Sequence, residues 1–231
     1  METQEFSDTF SLFHNLNTET LEWVLSMTEN ESYSANEVII SEDNWGKAIY
    51  LIVSGWVKLE NIYHHQESIT VEVTGKGGLV GEAGILDSVN TNSRITCISD
   101  VELLSISAQR FLQILYRDTQ IQNRLLKMMV KRVAEYQKYC QFHRQTPKVR
   151  LTTILISLAD RYGKATEKGI KLFNFGRKDL ADLAQLSLEE LDYIVEKLET
   201  KGLLVVESET NSLFLPNIKQ LHHIIGKLGN E

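Results

Sequence analysis

A chain of 231 residues can bury the cores of two modest domains, and its formal net charge of −7 excludes a protein that coats nucleic acid through bulk positive charge. Two widely separated cysteines, Cys97 and Cys140, argue against a disulfide framework and a Cys/His metal cluster, so no metal or other cofactor is expected. The N-terminus lacks a basic stretch followed by an apolar run, and no apolar window approaches the length of a membrane span. These features predict a cytoplasmic protein without membrane contact.

The first half of the chain changes its hydrophobic period near Glu37. The first 30 residues predict a short helical segment, with Asn17 or Thr18 as the N-cap. After Glu37 the period is two across several segments that are bounded by Gly, Asn and Ser at about ten-residue spacing. This pattern predicts an antiparallel roll or barrel, with one hairpin turn at Tyr63 to Glu67.

Residues 108–143 contain neither Gly nor Pro and predict a long helix with two apolar stripes. One stripe, made of Ile121, Leu125 and Met128, is suited to packing on the roll. The other recurs in steps of three and four, as in a coiled-coil seam, and comprises Leu126, Met129, Val133, Tyr136 and Cys140. A helix that is apolar on two sides is expected to have two packing partners; the alternative is a helix packed only within its own chain.

The C-terminal third contains the pattern of a helix-turn-helix. Pro147 marks a hinge, and a helix ending at Gly163 follows it. Apolar residues at helical spacing then flank a turn at 185–187, where Ser187 and Glu190 stand at capping-box spacing. Two short strands, 203–207 and 212–215, predict a wing, and 218–228 predict a terminal helix.

These patterns predict an α+β fold in three parts: an N-terminal helical segment and β-roll (1–107), a long helix with a hinge (108–146) and a winged helix-turn-helix domain (147–231). No nucleophile elbow, phosphate-binding loop or zinc-protease motif is present, so an enzyme is not expected.

At the helix-turn-helix the chain resembles the Crp/Fnr family of bacterial transcription regulators. The resemblance extends to the roll, where IVSGWVKL, GLVGEAGIL and DVELLSI match a jelly-roll of the cyclic-nucleotide-binding type, and to KMMVKRVAEY on the long helix. It implies a parallel homodimer that binds double-stranded DNA, with the second stripe of the long helix (Leu126, Met129, Val133, Tyr136 and Cys140) as the dimer interface. A small-molecule effector and RNA polymerase are the further partners that the resemblance allows.

The resemblance also implies where an effector would bind. Gly81 and Glu82 match the start of the family's phosphate-binding cassette, although a tight turn that merely closes the roll would use the same two residues. The family's cationic and hydroxyl positions fall on Thr91 and Asn92, and neither is cationic, so cyclic AMP is not the expected ligand. The implied pocket residues are Gly81, Glu82, Thr91, Asn92, Arg94, Tyr136 and Gln137. Arg94 lies three residues after Thr91, so on an extended strand it should point to the opposite face, and it reaches the pocket only if the register of the preceding loop slips.

The second helix of the helix-turn-helix departs from the family pattern. It is acidic, and Leu188 stands where an arginine is usual. Acidic side chains oppose the approach to phosphates, so the alternative hypothesis is a dimer that contacts a basic protein instead of DNA. If DNA is bound, the expected contacts are Arg177, Lys178, Ser187, Leu188, Glu189, Tyr193, Lys197 and Lys201. If the turn between the two helices keeps its usual shape, Gln185 is expected to adopt a positive φ.

Overall fold

The computed structural model describes residues 1–63, 67–86 and 92–228, and within them the chain forms an α+β fold of two compact units, 1–135 and 136–231. Each unit has its own sheets and helices. None of the helices within the described ranges combines the length and the apolar character that a membrane span requires.

The first unit is a two-sheet roll flanked by helices. Its helices are α1 (Thr3–Thr9), α2 (Thr18–Ser26), α3 (Glu82–Leu86), α4 (Ala108–Arg117) and most of α5 (Thr119–Tyr139). Its strands are β1 (Glu29–Tyr33), β2 (Val38–Ile40), β3 (Ala48–Ser54), β4 (Val57–Ile62), β5 (Ser68–Thr74), β6 (Leu79–Val80), β7 (Ser93–Cys97) and β8 (Val101–Ser107). One sheet has the order β1-β8-β3-β6 and the other β2-β7-β4-β5, with antiparallel pairing between neighbours.

Alternation along β3 creates two cores. Ile49 and Leu51 face the helices, where they pack with aromatic residues of the N-terminal segment such as Phe6. Tyr50 and Ile52 point the other way and pack between the two sheets. The sheet of β3 is therefore buried on both faces, which explains the nearly continuous apolar sequence of this strand.

The predicted long helix is interrupted at Asp118. Asp118 is the extended C-cap of α4, and its Oδ1 accepts hydrogen bonds from the backbone N–H groups of Gln120 and Ile121 at 2.8 and 3.1 Å. This side chain therefore starts a new helix, so the expectation of one helix from 108 is wrong. α4 and the first turns of α5 bury Phe111, Ile114, Leu115, Ile121 and Leu125 in the core of the roll, and the compact first unit includes residues up to 135.

The second unit is a three-helix core with a four-stranded sheet and a terminal helix. Its elements are the end of α5, then α6 (Pro147–Tyr162), β9 (Lys164–Thr166), β10 (Gly169–Phe173), α7 (Arg177–Ala184), α8 (Leu188–Thr200), β11 (Val205–Glu207), β12 (Ser212–Leu215) and α9 (Ile218–Leu228). The sheet order is β11-β12-β10-β9. The structure thus contains the predicted wing and terminal helix. Pro147 occupies the first turn of α6, where the backbone N–H that proline lacks would have no acceptor within the helix.

Two local predictions are confirmed, and a third concerns a turn of which only the ends are described. Asn17 caps α2 by accepting from the N–H of Thr20 at 2.8 Å. Gln185 has φ 54° and ψ 48°, the left-handed conformation that was expected at the turn. The β4–β5 hairpin is closed by a hydrogen bond from the N–H of Tyr63 to the carbonyl of Glu67 at 2.8 Å, while residues 64–66 of its turn lie outside the described ranges.

Candidate effector pocket and nucleic-acid interface

The turn that carries Glu82 is held by close backbone packing. Gly81 has φ 92°, and a Cβ there would lie 2.8 Å from the carbonyl oxygen of Ala48. A side chain is therefore excluded at this position both by conformation and by space. Glu82 follows as the first residue of the short α3 and is only 1% exposed. A carboxyl group buried to this degree requires a partner.

That partner is Arg132, which the sequence analysis did not assign to the pocket. From α5, Nη1 of Arg132 donates to Oε1 of Glu82, and Nη2 donates to the carbonyl of Leu79 at 3.4 Å. Nε of the same guanidinium lies 3.7 Å from Oε1 of Glu72 on β5. Arg132 continues the stripe of Leu125 and Met128 at helical spacing, and that spacing was the available signal.

The pocket around this guanidinium is acidic. Burial raises the pKa of Glu82, and the nearby Arg132 opposes that rise. Oε2 of Glu82 is buried and has no hydrogen-bond partner in the described structure. Two carboxylates, Glu72 and Glu82, therefore face one guanidinium. A phosphate placed beside Glu82 would add a third negative charge without a further cation from these residues.

Two of the other predicted pocket residues, Asn92 and Arg94, lie just before β7 and on β7, respectively. Thr91 lies outside the described residues, and Asn92 is exposed, with its carbonyl accepting from the N–H of Ile62 at 2.7 Å. Arg94 requires a correction: its Nε donates to Oε2 of Glu60 at 2.9 Å. It alternates along β7 with Ile95, which lies in the core between the sheets, so Arg94 faces the outside of the roll instead of the pocket.

Glu60 is the centre of a polar network on that outer face. Besides Arg94, its carboxylate accepts from the hydroxyl groups of Ser68 and Thr96, each at 2.9 Å, and lies 3.3 Å from Nζ of Lys58. Burial alone would raise the pKa of Glu60, but these hydrogen bonds, together with the charge of Lys58, lower it to about 2. Arg94 therefore has a structural partner within its own sheet.

The predicted interface stripe on α5 is largely exposed. Leu126 and Val133 are 62% and 55% exposed, and Val130, which the sequence analysis omitted, is 61% exposed. Met129 is different, because it packs partly against the helical core of the roll. Three exposed aliphatic side chains on one stretch of helix form an apolar strip of the kind that marks interaction surfaces.

The remaining predicted residues of this helix region belong to the second unit. Tyr136 is 37% exposed, and Gln137 and Cys140 are exposed as well. Tyr136 and Gln137 were expected in the effector pocket, and Tyr136 and Cys140 in the dimer interface. Both assignments remain predictions.

The helix-turn-helix is fixed by its turn and cap. The left-handed Gln185 ends α7, and its carbonyl accepts from Nη1 of Arg150 on α6 at 2.5 Å. Ser187 caps α8: its Oγ accepts from the N–H of Glu190 at 3.1 Å, and the Glu190 carboxylate accepts from the N–H of Ser187 at 3.0 Å. Leu191 packs at 0% exposure on the inner side of α8. The opposite side of the helix is left for contacts with another molecule.

Most of the predicted DNA-contacting side chains lie on the exposed side of the α7–α8 unit. Leu188 and Tyr193 are 52% and 62% exposed, and Glu189 and Lys201 are also exposed. Ser187 serves as the cap described above. The structure therefore brings these residues onto the surface of one small subdomain.

The cations of this surface have acidic or aromatic neighbours. Arg177 pairs with Asp192 of α8, and Lys178 pairs with Asp182 at 2.8 Å. Nζ of Lys197 lies 5.3 Å from the centre of the Tyr193 ring. The pairing of Arg177 neutralises one of the acids that the sequence analysis had counted against DNA binding.

Charge is divided unequally between the two units. Residues 136–231 contain 14 Lys and Arg against 12 Asp and Glu, a net charge of +2. Residues 1–135 contain 10 Lys and Arg against 19 Asp and Glu, a net charge of −9. The acidity of the whole chain therefore resides in the roll and not in the helix-turn-helix unit.

Comparison with known proteins defines the class of the roll first. Residues 30–118 match the model of the cyclic nucleotide-binding domain. Over 201 residues the chain is 25% identical to the cyclic AMP receptor protein of Thermus thermophilus. The aligned segment covers 84% of this chain and 87% of that protein. It is 27% identical over 156 residues to the probable transcriptional regulator Flp of Lacticaseibacillus casei, which covers 67% and 71% of the two chains.

Solved structures agree with this assignment at the level of the fold. FixK2 from Bradyrhizobium japonicum superposes with a TM-score of 0.72 at 21% identity, covering 85% of this chain and 96% of FixK2. The c-di-GMP-responsive regulator CLP of Xanthomonas campestris gives a TM-score of 0.69 at 20% identity, covering 87% and 100%. The chain is thus similar over most of its length to transcription regulators, and its residues 30–118 match the cyclic nucleotide-binding domain.

Proposed function

We propose that the protein is a homodimeric, sequence-specific DNA-binding transcription regulator that does not respond to cyclic AMP. The observation that carries the proposal is the capped helix α8, which follows the left-handed turn at Gln185 and exposes Leu188 and Tyr193. A helix held in this way after a three-residue turn has the arrangement with which helix-turn-helix proteins enter a major groove.

The acidic residues of α8 oppose DNA binding less than their number in the sequence implies. Asp192 is paired with Arg177, and the Glu190 carboxylate is engaged at the positive end of the helix in the capping box. The unit as a whole carries a net charge of +2. Glu189 stands near the start of α8, where a carboxylate can accept from the amino group of cytosine.

Dimerisation through α5 is supported by the exposed strip of Leu126, Val130 and Val133. Three aliphatic side chains at this degree of exposure gain free energy when a second copy of the helix covers them. A parallel pair of α5 helices would join two helix-turn-helix units, which DNA recognition by this class of protein requires.

The charge of the roll pocket supports an effector other than cyclic AMP, or none. Glu82 already binds Arg132, and Glu72 shares the same guanidinium. A cyclic nucleotide would bring its phosphate into a site where carboxylates outnumber the cation. We therefore do not propose that this protein binds cyclic AMP, the ligand in the name of the relative from Thermus thermophilus.

A second candidate function keeps the dimer but replaces DNA by a basic protein. It is favoured by the exposed carboxylates of Glu189, Glu196 and Glu199, which share α8. The two functions differ in their response to salt and to charge reversal, because only DNA binding is driven by release of counterions from phosphates.

The test is selection of bound fragments from sheared genomic DNA by the purified full-length protein without added ligand, with sedimentation of the same sample. Enrichment of a two-fold symmetric sequence by a dimer is the expected result. Enrichment that appears only after cyclic AMP is added would overturn the proposal, whereas a stable dimer that enriches no sequence under either condition would favour the protein-binding alternative or a requirement for another effector.

A further inference from the structure

The helix-turn-helix unit contains a cleft of about 350 Å³. Its walls come from four elements of the second unit: Leu151 and Leu155 of α6, Leu191 and Val195 of α8, Val206 of β11 and Leu213 of β12. A volume in this range, with mostly aliphatic walls, is that of a site for one small organic molecule.

The polar groups of the cleft lie at its rim and carry no negative charge. Asn174, Arg177, Ser208 and Asn211 line the rim, and none of the residues that line the cleft, all within the described range 92–228, is acidic. This is unusual next to α8, where acidic residues are frequent. The rim therefore offers hydrogen-bond donors and one guanidinium to a ligand whose body lies among aliphatic side chains.

The rim is also anchored. The N–H of Asn174 donates to the carbonyl of Asn211 at 3.0 Å, and the N–H of Asn211 donates to the carbonyl of Ser208 at 3.2 Å. The segment before α7 is thus joined to the wing turn, and both sides of the opening are held in place. Arg177 can turn toward the cleft at small cost, because its present pair with Asp192 is solvent-exposed.

From this geometry we propose that the cleft binds a small amphipathic carboxylic acid, with its apolar body between α6, α8 and the wing and its carboxylate on the Arg177 guanidinium. A planar guanidinium binds a carboxylate through two parallel hydrogen bonds, which neither the amides nor the hydroxyl of the rim can do. The site differs from the roll pocket in its position, its charge and the class of ligand that it takes.

Occupancy of the cleft has a consequence that rests on the proposed DNA-binding function. Arg177 is also a proposed phosphate contact, so the acid and DNA compete for the same guanidinium. The acid then weakens DNA binding, and DNA weakens binding of the acid by the same factor.

The test uses methyl-labelled full-length protein and two probes, decanoate and 4-phenylbutyrate, with decylamine as the cationic control. The proposal predicts chemical-shift changes centred on the methyl groups of Leu151, Val195 and Leu213 for at least one of the acids. Decylamine should bind at least about tenfold more weakly than decanoate. Shifts confined to residues 1–135, or absence of shifts with both acids, would overturn it.

Three variants identify the contacts. Arg177→Gln should weaken binding of the acid at least about tenfold, and Val206→Trp should abolish it by filling the cleft. Asp192→Asn, the matched control, releases Arg177 and should tighten binding about threefold. Equal affinity in wild type and Arg177→Gln would contradict the assignment. Because the probes are detected without DNA, a failure of DNA binding leaves this result unaffected.

Discussion

Arg132 and Glu82 lie 50 residues apart in the sequence and form an ion pair inside the N-terminal unit, between the long helix and the turn after β6. The pair fills the place at which the family resemblance implies a ligand contact. One carboxylate oxygen of Glu82 is satisfied by the protein's own helix, and the other is buried without a hydrogen-bond partner in the described structure. The buried Glu82 carboxylate is therefore held by a cation of the long helix of the same chain.

The first prediction concerns this pair. Arg132→Met should destabilise the protein by about 3 kcal/mol at pH 7, because it leaves a buried carboxylate without its partner. Burial already raises the pKa of Glu82, and the loss of Arg132 raises it further, so the deficit should shrink as the pH falls toward 5 and the group takes up a proton. Denaturant unfolding at both pH values measures the effect.

Two further variants complete the measurement. Lys131→Met, which removes a neighbouring exposed cation, should change stability by less than about 0.5 kcal/mol. The double variant Arg132→Met with Glu82→Gln should recover most of the loss, since no buried charge remains. A cost for Arg132→Met no larger than that of Lys131→Met would show that the pair is not a stabilising contact.

Acid stability depends on Glu60. Its pKa in the folded protein, about 2, is below the ordinary 4.5, so its contribution is fully present above about pH 4.5 and is lost as the pH falls toward 2. Glu60→Gln should therefore cost on the order of 2 kcal/mol at pH 7 and much less at pH 3. The control is Glu102→Gln, an exposed acid on β8. A Glu60→Gln deficit that is independent of pH would contradict the assignment.

Charge introduced into the exposed strip of α5 tests the dimer. Val133→Glu places a carboxylate in the proposed seam and should shift the protein to monomers in sedimentation velocity at micromolar concentration. Lys131→Glu changes charge on the same helix outside the strip and should leave the dimer intact. If Val133→Glu remains fully dimeric, the interface lies elsewhere.

Charge at the helix-turn-helix tests the DNA contacts. Asp192→Asn releases Arg177 and removes an acid, so it should tighten binding to the selected DNA about threefold to tenfold. Lys197→Ala should weaken binding to every sequence alike. It should also reduce the slope of the logarithm of the binding constant against the logarithm of the salt concentration by about one. Lys219→Ala, on α9, is the control and should bind like wild type. Unchanged affinity in both of the first two variants would remove these residues from the interface.

The sequence predicted the elements whose signals are local. The caps at Asn17 and Ser187 follow from side chains within a few positions of one another, whereas the left-handed Gln185 was expected from the usual shape of the family's turn. The break at Asp118 is also local, but the apolar periodicity continues across it and concealed the cap. A periodic pattern records which face is buried and does not record where one helix stops and the next begins.

The content of the pocket was not predictable in the same way. Arg132 meets Glu82 only after α5 has packed along the roll, and its neighbours in the sequence give no sign of this partner. Arg94 was placed in the pocket because it lies near the position at which the family carries a cation. Strand alternation already predicted that Arg94 points away from the face of Thr91, and in the structure Arg94 donates to Glu60. The family resemblance thus indicated the position of the effector pocket. The side-chain contacts show that Arg132, and not Arg94, lies beside Glu82.

The central claim is that two copies of α8 enter successive major grooves. Chemical interference mapping on a fragment selected by the ligand-free protein tests it most directly, by identifying the guanines whose major-groove modification prevents binding. We expect two clusters related by two-fold symmetry and separated by about one helical turn, roughly 34 Å. A single cluster, or binding that no base modification disturbs, would contradict recognition by a dimer of helix-turn-helix units.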